Sequence, residues 1–344
     1  MRIFVTGGAG FIGSNFIRYA LSQDADVRIT NFDKLTYAGN PANLADIEAD
    51  PTTADRYTFL KGDICDHDHV TEAMAGHDAI VNFAAESHVD RSITGGAEFL
   101  VNNVIGAQIV FDTARHLGIE RTLHISTDEV YGSIEEPDSF VEGDALEPNS
   151  PYSVSKASAD LLARSYGVTY DFPITVTRTA NNFGPFHYPE KVIPLFVTNL
   201  IDGRPVPLYG EGSNVRDWTY VIDNAAAQWL VLTQGTPGEV YNVGAGNELT
   251  NKALTYAILD RFDLRDEDAE AMIQHVADRP GHDLRYSVDT AKVRALGWEP
   301  AHSFTDALDA TVEWYRANEA WWRPLKDSGA SDRRGLVDAG STGT

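Results

Sequence analysis

The side chains best suited to chemistry in this 344-residue sequence begin at a hydroxyl followed by two carboxylates, Thr127-Asp128-Glu129, inside the run Ser126–Gly132. Like charges so close resist ionising together, so such a pair favours one protonated and one ionised member. A protonated Asp and an ionised Glu suit elimination across two neighbouring carbons. One acid protonates a leaving hydroxyl while the other removes a carbon-bound proton. Two acids in a solvated loop are also ordinary in a chain with 51 Asp and Glu, and composition alone leaves that reading open.

A second grouping is Tyr152-Ser153-Val154-Ser155-Lys156 at the start of an amphipathic stretch, which puts a phenol and an ammonium on one helical face. A nearby ammonium favours phenolate and lowers the phenol pKa toward working pH. The same spacing recurs at Tyr57 and Lys61, but in a predicted strand, where residues four apart stand about 13 Å from each other. That copy is a decoy.

A third grouping is the opening Thr6-Gly7-Gly8-Ala9-Gly10-Phe11-Ile12-Gly13. Gly8, Gly10 and Gly13 fit G-x-G-x-x-G, and Gly7, Gly10 and Gly13 fit a spacing of three. A tight turn, close approach to a pyrophosphate and close helix packing each need a missing side chain. The next helix would aim its free N–H groups at that pyrophosphate. Asp33 lies 20 residues beyond Gly13, where a carboxylate can hold a ribose 2′-hydroxyl and repel a 2′-phosphate, which favours NAD over NADP. Asp63 either contacts the adenine, with Ile64 packed on the ring, or is a polar strand end. In Phe83-Ala84-Ala85-Glu86-Ser87, small residues would let a cofactor lie against the sheet edge.

Elements that could position these groups alternate along the first half. Ile3–Thr6, Val27–Phe32, Tyr57–Lys61, Ala79–Ala84, Thr122–Ser126 and Ile174–Arg178 read as strands, and Phe11–Leu21, Asn103–Leu117 and Tyr152–Tyr166 as helices. Strand–helix alternation implies a Rossmann-like doubly wound parallel sheet of α/β class. After residue 180, Pro and Gly cluster and helical segments shorten. The division is a dinucleotide-binding domain over 1–179, a smaller α+β substrate lobe over 180–324 with segments returning to the first, and a disordered tail over 325–344.

Composition narrows the class. A formal net charge of −24 argues against a nucleic-acid binder or a partner of anionic membranes, so any anionic ligand needs its own Arg cluster. The lone Cys65 excludes an intrachain disulfide and a Cys-rich metal centre, and no metal site is expected. No targeting segment or apolar run of membrane-spanning length is visible, which points to a cytoplasmic protein. With seven Lys, twenty Arg and 32 Asp, an ordinary acidic surface and one adapted to high salt both fit.

The glycine loop, the Tyr-x-x-x-Lys pair and Thr127 resemble the extended short-chain dehydrogenase/reductase family acting on nucleotide sugars. Further segments resemble its dTDP-glucose 4,6-dehydratase branch over residues 1 to about 316. They are DKLTYAGN at 33–40, AAESHVDRS at 84–92, TDEVYG at 127–132, NNFGPFHYPEKVIPL at 181–195, PLYGEGSNVRDW at 207–218 and DRPGHD at 278–283. Epimerases of the family usually lack the acidic pair, so Asp128-Glu129 discriminates most.

That resemblance implies roles. Tyr152 takes the proton of the sugar's 4-hydroxyl, tuned by Lys156 and with Thr127 holding that hydroxyl; Glu129 removes the C5 proton and Asp128 protonates the departing C6 hydroxyl. It implies NAD contacts at Gly7, Gly10, Phe11, Ile12, Gly13, Asp33, Lys34, Leu35, Thr36, Asp63, Ile64, Phe83, Ala84, Ala85, Ser87, Asn102 and Asn182, besides Tyr152 and Lys156. For the sugar nucleotide it implies Ser87, Thr127, Asn181, Lys191 and Asn247, a base strip of Pro207, Leu208 and Tyr209, and a diphosphate clamp of Arg216 and Arg279 with Asn214, His282 and Tyr286 nearby. A homodimer joined through the helices Asn103–Leu117 and Tyr152–Tyr166 is also implied. Ala180, Phe183, Asn102 and Leu284 depart from the residues usual there, which leaves dTDP against UDP open. The rival readings are a UDP-glucose 4,6-dehydratase, a UDP-sugar 4-epimerase or decarboxylase of the same fold, and a non-catalytic NAD-binding module.

Overall fold

The computed structural model describes residues 1–278 and 281–327. Its strands are β1 (Arg2–Thr6), β2 (Arg28–Asp33), β3 (Tyr57–Lys61), β4 (Ala79–Asn82), β5 (Arg121–Thr127), β6 (Ile174–Thr179), β7 (Asn181–Phe183), β8 (Val206–Tyr209), β9 (Val215–Tyr220), β10 (Val240–Val243), β11 (Glu248–Thr250) and β12 (Ile273–Val276). Seven form one sheet in the order β10-β6-β5-β4-β1-β2-β3, every pair parallel. The doubly wound arrangement expected from strand–helix alternation is the one found. Ile3, Phe4 and Val5 are all buried, as a strand covered on both faces requires. One face packs Phe16, Ile17 and Leu21 of the helix Phe11–Gln23 against Ala227 and Val231 of the helix Val221–Gln234. The other packs Val110, Phe111 and Ala114 against Ala159, Ala163 and Tyr166.

Several boundaries differ from the sequence expectation: the helix expected over Tyr152–Tyr166 spans Pro151–Tyr170, and three other differences have tertiary causes. The fourth strand ends at Asn82 rather than Ala84, because the chain turns across the glycine loop: a Cβ on Gly7 would lie 2.6 Å from the Ala84 nitrogen. The stretch expected as one helix from Asn103 begins as a π-helical turn, Val101–Gly106, before the α-helix Ala107–Leu117. Gly106 lets that turn sit on Ile64, whose Cδ1 is 2.5 Å from where a Cβ would be. The first residues of the segment expected as a tail from 325 belong to the fold instead. Leu325 completes the helix Glu319–Leu325, and the Lys326 ammonium donates to Asp202 at 2.7 Å. Residues 328–344 lie outside the described part.

Beyond the main sheet, β7, β9 and β11 form a three-stranded sheet, and β8 and β12 pair in parallel. These pack with the helices Val192–Ile201, Asn251–Asp260 and Phe304–Ala317 around Phe183, Phe196, Trp218, Leu308, Tyr315 and Trp322. Trp321 and Trp322 serve packing: Trp322 is fully buried and Trp321 Nε1 donates to Asn43 Oδ1 at 2.9 Å.

Candidate active site

In the sheet order, β1 lies between β2 and β4, so the chain reverses its winding there, and ligands of such sheets bind in the crevice outside that switch point. A cavity of about 340 Å³ opens there. Gly7 holds φ +70°, and a Cβ on Gly13 would lie 2.5 Å from the Gly7 oxygen, so the loop can close only without these side chains. Gly10 caps the helix Phe11–Gln23 with no side chain of its own, which leaves the first N–H groups facing the cavity wall formed by Gly10, Phe11, Ile12 and Gly13. Asp33, at the end of β2, is 8% exposed; its oxygens accept from Ala9 N at 2.9 Å and Leu35 N at 2.8 Å. Burial raises its pKa against those two hydrogen bonds. The carboxylate therefore fixes the glycine loop and keeps lone pairs for a diol.

The rest of this wall comes from Lys34, Thr36, Asp63, Ile64, Phe83, Ala84, Ala85, Ser87 and Asn102. Lys34 and Asp63 form an ion pair at 2.8 Å across the ends of β2 and β3. Leu35 does not line the cavity; it contributes its N–H to Asp33 from a left-handed backbone, φ +58°. Asn182, beside them on β7, has a buried Oδ1 that no described group satisfies. A glycine cradle, a helix N-terminus, a diol-binding carboxylate and an unsatisfied amide oxygen fit a dinucleotide.

Across the cavity stands the acid–base group. Thr127 ends β5, and its hydroxyl accepts from Glu129 N at 3.3 Å and donates to Asp128 Oδ1 at 3.2 Å, capping the single 3₁₀ turn Asp128–Val130. Asp128 is 3% exposed, and its Oδ2 has no partner among the described residues. Burial and the neighbouring Glu129 push its pKa up to about 8. Asp128 is thus biased toward its protonated form, beside a half-buried Glu129. Tyr152 and Lys156 are both buried on the helix Pro151–Tyr170, started by a Ser150–Ser153 capping box with Pro151 in its first turn. The Lys156 ammonium donates to Ile125 O at 2.6 Å, and burial pulls its own pKa down to about 8 against the charge of Asp160. The expected lowering of the Tyr152 pKa is not found. Burial, then Glu129 and Asp128, raise it, and only its hydrogen bond with Thr127 opposes them.

The residues expected at the nucleotide end separate into two sets. Asn181, Lys191 and Ser87 line the cavity, with Lys191 Nζ donating to Ser87 O at 3.0 Å. Pro207, Leu208, Tyr209, Asn214, Arg216, Asn247, His282 and Tyr286 do not; most belong to a polar assembly alongside. The Arg216 guanidinium lies 4.0 Å from the Tyr286 ring centroid and donates to Asp283 O at 3.0 Å; Asn214 donates to the same oxygen at 3.1 Å. Tyr286 donates to Asp283 Oδ2 at 2.7 Å. Tyr209, on β8, meets His282 edge-on at 6.2 Å, and Asn247 donates to Trp218 O at 3.0 Å. Arg216 acts electrostatically on Asp128 and Glu129 on Tyr286, so this assembly adjoins the acid pair. Arg279 lies outside the described residues.

Sequence reasoning passed over a cluster on the cavity wall. Glu190, 2% exposed, pairs with Arg91 at 3.0 Å and hydrogen-bonds Tyr37, while Arg91 stacks 3.8 Å from the Tyr37 centroid. Phe11 of the glycine loop stacks on His187 at 4.1 Å. Tyr37, Glu190 and His187 all lie within the segments that carry the family resemblance, but nothing local marks them as neighbours. His88 caps the helix Val89–Thr94 and lies 3.5 Å from Glu190, a structural position.

Residues 4–311 match the family model described as GDP-mannose 4,6 dehydratase. The chain belongs to this family. Within it, the chain is 51% identical to a dTDP-glucose 4,6-dehydratase of Streptomyces niveus over 331 residues, 95% of this chain and 96% of that one. It is 50% identical to the low-salt glycan biosynthesis protein Agl12 of Haloferax volcanii, covering 93% of this chain and 100% of the relative. DesIV, the dTDP-glucose 4,6-dehydratase of Streptomyces venezuelae, solved with NAD and dTDP bound, superposes with a TM-score of 0.90 at 51% identity, covering 95% of this chain and all of that one. The fold reaches further than the chemistry: the UDP-glucose 4-epimerase of Thermus thermophilus, solved with NAD, has a TM-score of 0.83 at 28% identity over 92% of this chain and all of that one.

Proposed function

We propose that this chain is a lyase that converts dTDP-glucose to dTDP-4-keto-6-deoxyglucose with bound NAD. The observation that carries the reading is Asp128: a buried carboxyl whose Oδ2 is unpartnered among the described residues, its pKa raised by burial and by the adjacent Glu129, in one cavity with Thr127, Tyr152 and Lys156. When bound, NAD supplies the redox chemistry, removing hydrogen with its electron pair from C4 and giving it back at C6. The glycine loop and Asp33 hold the dinucleotide, with the Asn182 Oδ1, unsatisfied among the described residues, beside it. Thr127 holds the sugar's 4-hydroxyl, whose proton passes to the Tyr152 oxygen; because burial and the acid pair raise the Tyr152 pKa, this step requires the positive charge of Lys156 and of bound NAD to release the phenol's own proton first. Once C4 is a carbonyl the C5 hydrogen is acidic, and Glu129 takes it. Asp128 gives its proton to the departing 6-hydroxyl, and a proton returns to C5. No net redox change results, so the cofactor has no need to leave between turnovers.

Arg216 is the local cation that an anionic diphosphate needs on a chain of net charge −24, with Arg279 as its partner in the clamp. Pro207, Leu208 and Tyr209 form the base strip; residues 1–179 supply most of the dinucleotide site and 180–324 most of the nucleotide-sugar contacts, with Asn182 and β10 among the segments that return to the first domain. A homodimer belongs to the same proposal: Leu161 and Val168 on one helix and Val101 and Ile105 beside it are all about half exposed or more, an apolar face suited to a second copy. So does a cytoplasmic location; among the described residues no helix is long and apolar enough to cross a membrane.

Incubation with dTDP-glucose or UDP-glucose, with products read by NMR, tests the reading. A 4-keto-6-deoxy product formed faster from the dTDP sugar is expected. Only a C4-inverted hexose would make the chain an epimerase, and a UDP preference would move it to the UDP-glucose branch.

A further inference from the structure

Asp128 and Glu129 ride on one 3₁₀ turn, which has too few hydrogen bonds of its own to fix two carboxylates. Support comes from the residue that follows. Tyr131 is 1% exposed; its phenol donates to Asn242 Oδ1 at 2.8 Å and accepts from Arg178 Nη1 at 2.7 Å. Its ring stacks on Phe140, with centroids 4.8 Å apart and planes at 9°. The other guanidinium nitrogens of Arg178 pair bidentately with Asp160, both at 2.8 Å. Asp160 stands one helical turn beyond Lys156, on the same helix face. Three buried side chains, Tyr131, Arg178 and Asp160, therefore link the acid turn to the helix that carries Tyr152 and Lys156, with Asn242 fixing the Tyr131 hydroxyl. A buried ion pair contributes little net stability over apolar packing, so its use here is geometric.

We propose that Tyr131, acting through Arg178 and Asp160, is a positioning residue that holds Asp128 and Glu129 in register with Tyr152 and Lys156, and so serves water elimination rather than oxidation at C4. This rests on the reading of Asp128 and Glu129 as acid and base. Elimination needs two carboxylates placed at once on C5 and the 6-oxygen, whereas C4 oxidation touches neither and feels them only as charges acting on Tyr152. A misplacement of about 1 Å can cost on the order of 100-fold in rate. A looser turn also admits water to Asp128. Its surroundings are Glu129 and Asp217, which oppose ionisation, and Arg216 and the Thr127 hydroxyl, which favour it. With these unchanged, hydration weakens the burial that keeps Asp128 protonated.

Tyr131→Phe keeps the ring on Phe140 and removes only the hydroxyl; Asn242→Ala removes its acceptor instead. In single-turnover kinetics both should leave KM and C4 oxidation within about 2-fold and slow elimination by roughly 10-fold or more. Reduced nicotinamide then accumulates, and the alkaline limb of the elimination rate moves to lower pH. Loss of oxidation and elimination in equal proportion, or parental rates for both steps, overturns the proposal. If Tyr131→Phe does not fold, Asn242→Ala decides by the same readouts. Asp128→Asn separates the two layers. If it stalls elimination while Tyr131→Phe and Asn242→Ala do not, only the positioning role falls; if it turns over at the parental rate, the acid–base reading and this role fall together.

Discussion

On the dinucleotide side of the cleft, the closest fitting is done by backbone: Gly7 and Gly13 bring main chain against main chain, Gly8 leaves room for the Asn31 and Ile17 side chains, and Asp33 braces the loop. On the acid and diphosphate side, side chains do it: Arg216, Asp283 and Tyr286 interlock, and Asp128 owes its proton to burial and to Glu129. A cradle made of absent side chains tolerates almost no addition. A network made of present ones loses function in graded steps.

The largest effect should come from filling the cradle. A Cβ at residue 13 would stand 2.5 Å from Gly7 O and 2.8 Å from Gly8 Cα, both backbone atoms that cannot swing aside. Gly13→Ala should therefore cost about 1–3 kcal/mol of stability and weaken NAD binding by about 100-fold, measured by melting and by cofactor titration. On the opposite side, Arg216→Ala should raise KM for the sugar nucleotide by roughly 10–100-fold through loss of a charge-assisted contact. Because Arg216 favours ionisation of Asp128, its removal should also carry activity to higher pH, visible in the kcat–pH profile. An unchanged KM would remove Arg216 from the diphosphate site.

Asp33→Asn should be milder, about 10-fold weaker NAD binding with NADP better tolerated, since one carboxylate charge is lost while the backbone cradle stands. A titration showing equal affinity for both cofactors in the parent protein would contradict that role. The last effect is read in stability alone, not in binding or turnover. The folded pKa of Asp128, about 8, lies above the unfolded value near 4, so its contribution is fully present below about pH 4 and is lost as pH rises through about 8. Asp128→Asn should gain on the parent in melting temperature across that window and level off above it. A constant difference would mean that Asp128 ionises normally.

The same contrast explains what could be read in the sequence. The cradle lies within residues 7–33, and its glycine spacing, strand and carboxylate are local, so their conjunction was legible. The acid pair was legible because adjacency alone sets two carboxylates against each other. The cluster of Tyr37, Arg91 and Glu190 spans more than 150 residues, and Tyr131, Asp160, Arg178 and Asn242 span more than 110; no period or spacing links such residues before the chain folds. Burial was also hidden. The Tyr152–Lys156 spacing suggested a lowered phenol pKa, but enclosure and two neighbouring carboxylates raise it. The end of β4 at Asn82 was set by the approach of Ala84 to Gly7, a tertiary contact that strand propensity does not register. The surface excess of Asp over Lys still fits both an ordinary acidic protein and a salt-adapted one, which melting across a salt series separates.

The acid pair is tested most directly by single turnover of dTDP-glucose in deuterated water, with the parent beside Asp128→Asn and Glu129→Gln. The parent should release a 4-keto-6-deoxy sugar with deuterium at C5. Both variants should oxidise C4, hold reduced nicotinamide and release little product. Product formed by both variants at the parental rate, or a parent product without deuterium at C5, would contradict the assignment of Asp128 and Glu129 to elimination.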